Sequence, residues 1–329
     1  MNRPSPRPLP CREERRHHRK TIYSPLCKGG VWGRVCFLLL LLLSSCTERQ
    51  EAKPFQTDST EVDSTALRVA VMPTMGCLPM YYAVGSGLTD SLGLEITLLR
   101  YQAQMDIDTA LLRGHADIAY TDLIRTARLA ESIGLKPFAA CHEPLSLISL
   151  KTKRVKSINQ MKEQMIAISR LSATDYWCDH VLDSTGTSHD DIYRPQINDV
   201  RLRAEMMRLG LIDAAMMGEP FATWMTVLGH KRLFRTQQGH TRLYAWVAGD
   251  KATAPQQEAF RHLLDSAAVL CSQASQADLV RNVLQQEYQL PAALTDTLEL
   301  PAPTPTLSIR PGDMAEARRW LDKAKAIHR

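Results

Sequence analysis

The chain has 329 residues, with 40 Lys or Arg against 35 Asp or Glu and a formal net charge of +5. The basic excess is confined to the N-terminus, because residues 1–45 carry nine Lys or Arg and two acidic residues, which leaves a net charge of −2 from Cys46 onward. That later part has no basic run with interleaved aromatic residues, so its composition argues against a nucleic-acid-binding surface.

A short apolar run near the N-terminus has the composition of an export signal. Residues 35–43 are nine consecutive apolar residues, whereas a helix needs about 20 to cross a bilayer. The run follows the basic segment and precedes two serines, an order typical of secretory signal peptides. We therefore predict that residues 1–45 are a signal peptide with a long basic n-region; a start codon assigned too far upstream is the alternative for that length.

The cysteine after the two serines indicates the kind of signal. The sequence LSSC at residues 43–46 resembles the bacterial lipobox, in which the cysteine thiol receives a diacylglycerol and the chain is cut before it. Residues 46–66 are rich in Ser, Thr, Glu and Gln, as expected of a tether. We predict lipidation of Cys46 and attachment to the membrane through it. The alternatives are an ordinary cleaved signal, with Cys46 incidental, and a buried core helix.

Four further cysteines are too widely spaced for a compact disulfide scaffold, and we predict free, buried thiols at Cys77, Cys141, Cys178 and Cys271. Two short clusters, CHE at residues 141–143 and CDH at residues 178–180, contain metal-ligating side chains. Adjacent residues on a strand point to opposite faces, and residues two apart on a helix lie about 200° apart. We therefore predict no metal site and no cofactor.

Strand patterns alternate with helix patterns after the tether. We predict strands at residues 67–73, 94–101 and 116–122, and helices at residues 79–87, 105–113 and 123–133. Pro79 is suited to the first turn of its helix, and Asp122 is suited to cap the third helix. This alternation predicts an α/β fold with a parallel sheet covered on both faces.

The pattern pauses at a basic connector, residues 151–156, and then restarts. Strands are predicted at residues 165–169, 191–197 and 242–249, helices at residues 175–183 and 200–209, and a short apolar segment at residues 212–220. Everything after Pro255 is predicted to be helical, and Asp313 and Glu316 have capping-box spacing before the last helix. We infer one lobe from residues 67–150 and 243–329, and a second from residues 151–242.

Several short motifs in this order carry a family resemblance. They are Gly87-Leu88 after the first helix, Gly114-x-x-Asp117 before the third strand, and Glu219-Pro220 in the second lobe. With these motifs, residues 67–250 resemble the periplasmic solute-binding proteins of ABC importers in the alkanesulfonate, taurine, nitrate and thiamine-precursor group. The resemblance implies a type II periplasmic-binding-protein fold: two lobes, each with a mainly parallel sheet flanked by helices, joined by a hinge of two strands, with the ligand enclosed between them.

The predicted binding site lies in the loops that follow four strands, because ligands in open parallel sheets bind beyond the carboxyl ends of the strands. The candidate residues are Thr74, Met75, Gly76, Cys77, Thr121, Asp122, Ser169, Arg170, Ser172 and Glu219.

Several of these residues have a structural alternative. The guanidinium of Arg170 is suited to a sulfonate or carboxylate, or it is a solvated side chain. Ser172, Asp122 and Glu219 either bind ligand or cap the helices that follow them.

Three functions are compatible with these observations. The first is a lipid-anchored binding protein in the periplasm or cell envelope that captures a small organic solute or anion and delivers it to the permease subunits of an ABC importer. The second is an enzyme on the same fold, of the thiamine-precursor or menaquinone-pathway type, against which the export signal and the absence of a G-x-S-x-G nucleophile motif argue. The third is a ligand sensor or a surface adhesion module.

Overall fold

The computed structural model describes residues 66–237, 239–296 and 300–327, which all belong to one compact unit, Thr60–Arg329. The predicted signal peptide, the lipidated Cys46 and the tether lie outside the described residues.

The described residues contain two mixed β-sheets. Their strands are β1 (Leu67–Val71), β2 (Ile96–Arg100), β3 (Ile118–Asp122), β4 (Lys136–Cys141), β5 (Leu145–Ser149), β6 (Ile166–Ala167), β7 (Ala214–Gly218), β8 (Lys231–Arg235) and β9 (Tyr244–Ala248).

Strand order shows how the two sheets are built. The first sheet has the order β2-β1-β3-β9-β4 and the second has the order β6-β7-β5-β8. β1 is parallel to β2 and β3, and β6 is parallel to β7, whereas β9 and β5 are antiparallel to both of their neighbours. The α/β prediction is confirmed, but each sheet is mixed rather than mainly parallel. Helix-connected strands run parallel, whereas the strands at the crossings between sheets have no helical crossover and reverse direction.

The helices flank these sheets. They are α1 (Leu78–Gly85), α2 (Leu88–Ser91), α3 (Gln104–Leu112), α4 (Leu123–Leu129), α5 (Ala173–Thr185), α6 (Val200–Arg208), α7 (Phe221–Val227), α8 (Ala254–Cys271), α9 (Ala277–Gln286), α10 (Ala292–Thr295) and α11 (Pro311–Ile327).

The chain crosses between the sheets twice, once from β4 to β5 through residues 142–144 and once from β8 to β9 through residues 236–243. β5 belongs to the second sheet, so this sheet begins a few residues before the lobe boundary predicted at residue 150. The lobe boundaries themselves stay a prediction. Both crossings border the space between the sheets, and so they place residues such as Glu143 beside the site described below.

The core of the first sheet forms because β1, β3 and β9 are buried on both faces. Val69, Ile118 and Trp246 are fully buried, and Trp246 packs edge-on against Phe260 of α8 with ring centroids 5.1 Å apart. Burying each such side chain contributes roughly 1.5–3 kcal/mol to folding. The first sheet is therefore a rigid support for the loops at its strand ends.

The Gly114-x-x-Asp117 motif has a structural role here. Gly114 has φ +65°, a left-handed conformation that glycine adopts without strain, and so it ends α3. Asp117 then accepts two hydrogen bonds from the guanidinium of Arg68, at 2.9 Å from Nε and 2.6 Å from Nη2. The motif fixes the start of β3 against β1.

The last helix, α11, ties together helices that flank different sheets. Its buried Ala317 and Leu321 lie in one apolar cluster with Ile124 of α4, and Trp320 donates a hydrogen bond of 2.9 Å to Asp179 of α5. The predicted capping box at the start of this helix is wrong.

The helix begins two residues before Asp313, because the chain is already helical from Pro311, whose fixed φ suits a first turn. Asp313 instead pairs with Arg310 at 2.6 Å.

Two other predicted elements differ from the structure. Residues 191–197 make only isolated bridges, at Tyr193 and Gln196, because Pro195 lacks the N–H that a continuous ladder needs. Residues 300–310 are extended rather than helical, and Leu307 pairs with Ala140 at the edge of β4.

The four cysteines of the described chain are free, as predicted, although Cys141 is only partly buried. Burial raises the pKa of the Cys77 thiol to about 12, so this thiol stays protonated at neutral pH. Within residues 66–327, apart from the undescribed gaps, none of the helices combines the length and the hydropathy that crossing a bilayer requires.

Candidate functional site

A small cavity lies between the two sheets, at the ends of strands from both of them. Its volume is about 40 Å³, which is room for about three water molecules. Its lining residues are Met72, Thr74, Gln104, Tyr120, Asp122, Glu143, Leu145, Ser169, Ser172, Thr174, Asn198, Val200, Arg203, Met217, Gly218, Glu219, Phe221 and Tyr244.

Half of the residues predicted for the site line this cavity. They are Thr74 after β1, Asp122 at the end of β3, Ser169 and Ser172 after β6, and Glu219 after β7. Four different strands supply them because the carboxyl ends of the helix-connected strands of both sheets face the same space.

The other predicted residues lie outside the cavity. Met75 and Gly76 line a neighbouring one, Cys77 is buried in the core, and the hydroxyl of Thr121 accepts a hydrogen bond of 2.6 Å from Gln104. Arg170 is exposed and does not line the cavity.

Asp122 and Ser172 act as helix caps as well as lining residues. The carboxylate of Asp122 accepts hydrogen bonds from the backbone N–H groups of Ile124, at 3.0 Å, and Arg125, at 2.9 Å. Burial raises the pKa of Asp122 to about 6, although the nearby guanidinium of Arg125 lowers it. The hydroxyl of Ser172 accepts from the N–H of Thr174 at 3.2 Å. The predicted capping role is therefore present at both positions.

Glu219 is buried and already has partners. Its carboxylate accepts a hydrogen bond of 2.8 Å from the backbone N–H of Thr223, in the first turn of α7. It also lies 3.3 Å from the guanidinium of Arg232 and 4.0 Å from that of Arg235. Cations therefore offset the charge of Glu219 before any ligand binds.

Glu143 lies at the first crossing between the sheets and differs from the other acids. One carboxylate oxygen accepts hydrogen bonds from the backbone N–H of Gly76, at 2.7 Å, and from the hydroxyl of Tyr120, at 3.0 Å. The other oxygen, Oε1, is buried and has no hydrogen-bond partner among the described residues. Burial raises the pKa of Glu143 to about 8, with a further contribution from the negative charge of Glu219.

Arg203 is the cation that lines the cavity. It is 2% exposed, and its guanidinium donates to the backbone carbonyls of Ile197, at 3.0 and 2.6 Å, and of Met216, at 2.7 Å. No carboxylate in the described part of the chain forms a salt bridge with it. Burial lowers the pKa of Arg203 to about 10, which still leaves it protonated at neutral pH.

Two tyrosines form one wall. Tyr120 and Tyr244 stack with ring centroids 5.7 Å apart and an interplanar angle of 9°. They come from the paired strands β3 and β9, and so the sheet fixes their spacing. The cavity thus combines a rigid aromatic wall with charged groups from both sheets.

A buried ion-pair network joins the sheets next to the cavity. The guanidinium of Arg125 on α4 pairs with Asp108 of α3, and it donates to the hydroxyl of Ser169 at 2.9 Å and to the carbonyl of Arg170 at 3.2 Å. Arg125 and Asp108 lie on helices that flank the first sheet, whereas Ser169 and Arg170 follow β6 of the second sheet.

Comparison with known proteins shows what this architecture is similar to. The family model described as NMT1/THI5 like matches residues 75–233. These residues are therefore similar to that family. No curated protein matches the chain.

Solved structures match about 80% of the chain. The periplasmic aliphatic sulphonate binding protein SsuA from Escherichia coli aligns with a TM-score of 0.66 and 16% identity, over 80% of this chain and 88% of that protein. The alkanesulfonate-binding protein SsuA from Xanthomonas axonopodis pv. citri aligns with a TM-score of 0.66 and 18% identity, over 80% and 93%. The periplasmic nitrate-binding protein NrtA from Synechocystis PCC 6803 aligns with a TM-score of 0.63 and 12% identity, over 80% and 81%.

These matches confirm the resemblance drawn from the sequence. They also show that the chain has the two-lobed fold of periplasmic binding proteins, with a mixed sheet in each lobe.

Sequence reasoning missed two charged groups of the cavity, Arg203 and Glu143. Arg203 stands on the buried face of α6 with Ala204 and Met207, at a position where the helical period predicts an apolar side chain. A charged residue at an apolar position of a helix indicates a buried polar role, and this signal was present in the sequence. Glu143 precedes a proline at a strand end and was weighed only as a metal ligand. Neither its burial nor its missing partner can be read from local sequence.

A second cavity, of about 580 Å³, shares Glu143 and Tyr244 with the first. Trp177 and His240 stack in its wall with ring centroids 5.2 Å apart. The two shared residues lie between the small cavity and this larger one.

The close approach of Gly76 to Tyr120 gives a testable prediction. A Cβ on Gly76 would overlap the hydroxyl and ring of Tyr120, whereas a Cβ on Gly85 would lie 4.0 Å from its nearest neighbour, Leu279. Gly76→Ala should therefore cost about 1–3 kcal/mol in unfolding free energy and displace the hydroxyl that binds Glu143. Gly85→Ala should be neutral or stabilise by up to about 1 kcal/mol. Urea unfolding of both variants checks this, and equal stability of the two would contradict the overlap.

Proposed function

We propose that the chain is a lipid-anchored, extracytoplasmic solute-binding protein that captures a small organic solute or anion and delivers it to the permease subunits of an ABC importer. One observation carries this proposal: the cavity between the sheets is lined by polar side chains from both of them. It includes Thr74 and Asp122 from the first sheet and Ser169 and Glu219 from the second.

Capture follows from this two-sided lining. A ligand that contacts both sheets binds the closed arrangement of the lobes more tightly than the open one, and this difference in affinity shifts the population toward closure. The two crossings, residues 142–144 and 236–243, are the segments about which the lobes would move. The hydrogen bonds of Arg125 to Ser169 and Arg170 would form when the lobes close, because Arg125 flanks the first sheet and these two partners follow a strand of the second.

The relatives support a transport role. The two SsuA proteins are named for binding sulfonates and NrtA for binding nitrate. The proposal extends binding of a small solute, and hence a permease partner, to this chain. It places the protein in the periplasm or cell envelope.

Binding can be tested by the stability of the purified protein. A solute that binds the folded state alone, supplied at 100 times its dissociation constant, adds about 2.7 kcal/mol to the unfolding free energy. A panel of small sulfonates, amino acids, amines, nitrate and pyrimidines, screened by thermal shift and confirmed by calorimetry, should contain at least one such solute. Chemical turnover of a bound solute would contradict the binding-protein proposal.

Anchoring rests on the sequence of residues 43–46 and has its own test. We expect the wild-type protein to incorporate labelled palmitate and to sediment with membranes, and Cys46→Ser to do neither, because the variant lacks the thiol that would receive the lipid. Cys271→Ser, which removes a buried thiol of the folded part, is the matched control and should label like the wild type. Labelling of Cys46→Ser would refute the lipobox prediction.

A further inference from the structure

We propose that the solute is a small zwitterion whose protonated amine pairs with Glu143 and whose carboxylate or sulfonate pairs with Arg203. This inference rests on the proposed function, because it names the chemical class of the solute for the same cavity.

The amine half follows from unmatched acceptor atoms. Glu143 is 8% exposed and lines the cavity, and its Oε1 has no hydrogen-bond partner among the described residues. Thr74, also 8% exposed and also lining the cavity, has a hydroxyl without a partner. A buried acceptor without a partner costs about 1–3 kcal/mol, and more when it is charged. An ammonium group supplies three donors and would satisfy both side chains.

The acidic half follows from the donors of Arg203. Three hydrogen bonds from its guanidinium go to neutral carbonyl oxygens, although the group has five N–H donors. Its positive charge therefore lies beside the cavity without a negative partner. An oxyanion is the group that a guanidinium binds best.

The remaining charges of the cavity are already offset. Glu219 lies within 4.0 Å of the guanidinium groups of Arg232 and Arg235. Asp122 accepts hydrogen bonds from two backbone N–H groups of its helix and lies 3.9 Å from the guanidinium of Arg125. Glu143 and Arg203 are thus the carboxyl and the guanidinium of the cavity that have no salt-bridge partner in the described part of the site. A simple anion would satisfy only Arg203, and a simple amine would satisfy only Glu143.

The spacing of the two groups suits a small molecule. A Cβ built on Gly218 would lie 3.0 Å from Oε1 of Glu143, and Arg203 donates to the carbonyl of Met216, two residues earlier in β7. Two residues along a strand span about 7 Å. An amine and an acid separated by two or three bonds fit between contacts on that scale. Because the cavity of about 40 Å³ has room for only about three water molecules, the lobes must move apart slightly to accommodate such a solute.

The proton on Glu143 makes this pairing measurable. The titratable groups that interact electrostatically with Glu143 carry negative or no charge: Glu219, Tyr120, Tyr244, Tyr288, Cys77 and Cys141. On the side of the second cavity the neighbouring lining groups are His142, His240 and Arg242, and none of them forms a salt bridge with Glu143 in the described structure.

Because the pKa of Glu143 is about 8, its carboxyl is mostly protonated at pH 7. An ammonium group would bind the carboxylate and displace that proton. The association constant should therefore rise roughly tenfold per pH unit below pH 8 and level off above it.

Calorimetry with four matched probes tests the inference on the purified full chain. The probes are 2-aminoethanesulfonate, 3-aminopropanoate, ethanesulfonate and ethylamine. We expect at least one of the two zwitterions to bind at least tenfold more tightly than both single-charge probes, with release of up to one proton at pH 7. The stronger of the two zwitterions identifies the oxyanion.

Glu143→Gln should lower the affinity of the preferred zwitterion at least tenfold and abolish its pH dependence. Arg203→Lys should also weaken binding of the zwitterion, because lysine lacks the planar fork. Arg170→Ala, an exposed arginine nearby, should leave binding unchanged. Unfolding curves of each variant show whether a loss of binding reflects a loss of folding.

Three results would overturn the inference. They are binding of ethanesulfonate as tight as that of both zwitterions, pH-independent binding of the zwitterions, and no binding of any probe. The proposed function is judged separately, because a different solute from the wider panel that binds between the lobes would uphold it while this inference fails.

Discussion

Replacing Arg125 with methionine should lower the unfolding free energy by about 3–5 kcal/mol. The Arg125 guanidinium is 1% exposed and pairs with Asp108, whose side chain is 5% exposed. Methionine fills a similar volume but leaves the buried carboxylate of Asp108 with fewer partners, and losing one member of a buried ion pair costs this much. The change also removes the hydrogen bonds to Ser169 and Arg170. Urea unfolding monitored by circular dichroism measures the difference.

Arg128 provides a matched control, because it pairs with the same oxygen of Asp108 at 2.6 Å but is 33% exposed. Arg128→Met should cost no more than about 1 kcal/mol, since solvent screens exposed ion pairs. The double variant Arg125→Met with Asp108→Leu should recover part of the stability lost in Arg125→Met alone, because it leaves no unpaired buried charge there. Equal losses for the two arginine variants would show that burial does not govern this network.

The elements that sequence predicted well are those encoded by adjacent residues. β1 is a β-branched run ended by a proline, and α4 begins at an aspartate that caps it. In α6 the apolar residues recur with the helical period. Each of these signals is complete within about ten residues, so no knowledge of the partner element was needed. The resemblance of residues 67–250 then supplied the architecture that joins them.

Sheet membership and strand direction depend on distant residues. β5 is an apolar strand in sequence, but its pairing with β7 and β8 depends on residues more than 60 positions later. The same holds for β9, which returns to the first sheet and lies between β3 and β4. Local patterns do not encode these pairings, and so the mixed character of both sheets was not predicted.

The site divides in the same way. Residues at strand ends, such as Asp122 and Glu219, were predicted because the carboxyl ends of strands recur in sequence as polar residues after apolar runs. Arg170 was favoured for its position beside these loops, yet its side chain is exposed, whereas Arg203 reaches the cavity from a helix. The direction of a side chain depends on packing and not on its distance from a loop in sequence.

The stability of the protein should fall as pH rises from about 5 to 8, through the carboxyl group of Glu143. Its pKa is raised from 4.5 to about 8 by burial, so in this interval the folded chain holds a proton that the unfolded chain has lost. Unfolding releases that proton, and a rise in pH therefore favours the unfolded state. The contribution of Glu143 is fully present below pH 4.5, decreases by about 1.4 kcal/mol per pH unit above it, and levels off above pH 8.

Glu143→Gln isolates this contribution, because glutamine has the shape of the protonated acid and does not titrate. We expect the stability of the variant relative to the wild type to increase by roughly 3 kcal/mol between pH 5.5 and 7.5, measured by urea unfolding at each pH. Glu287→Gln is the control: Glu287 pairs at 2.9 Å with Arg100, which is 48% exposed, so its removal should change stability by less than about 1 kcal/mol at either pH. If the unfolding free energies of Glu143→Gln and the wild type change with pH in parallel, then Glu143 is ionised in the folded chain. In that case, pairing of Glu143 with an amine would release no proton.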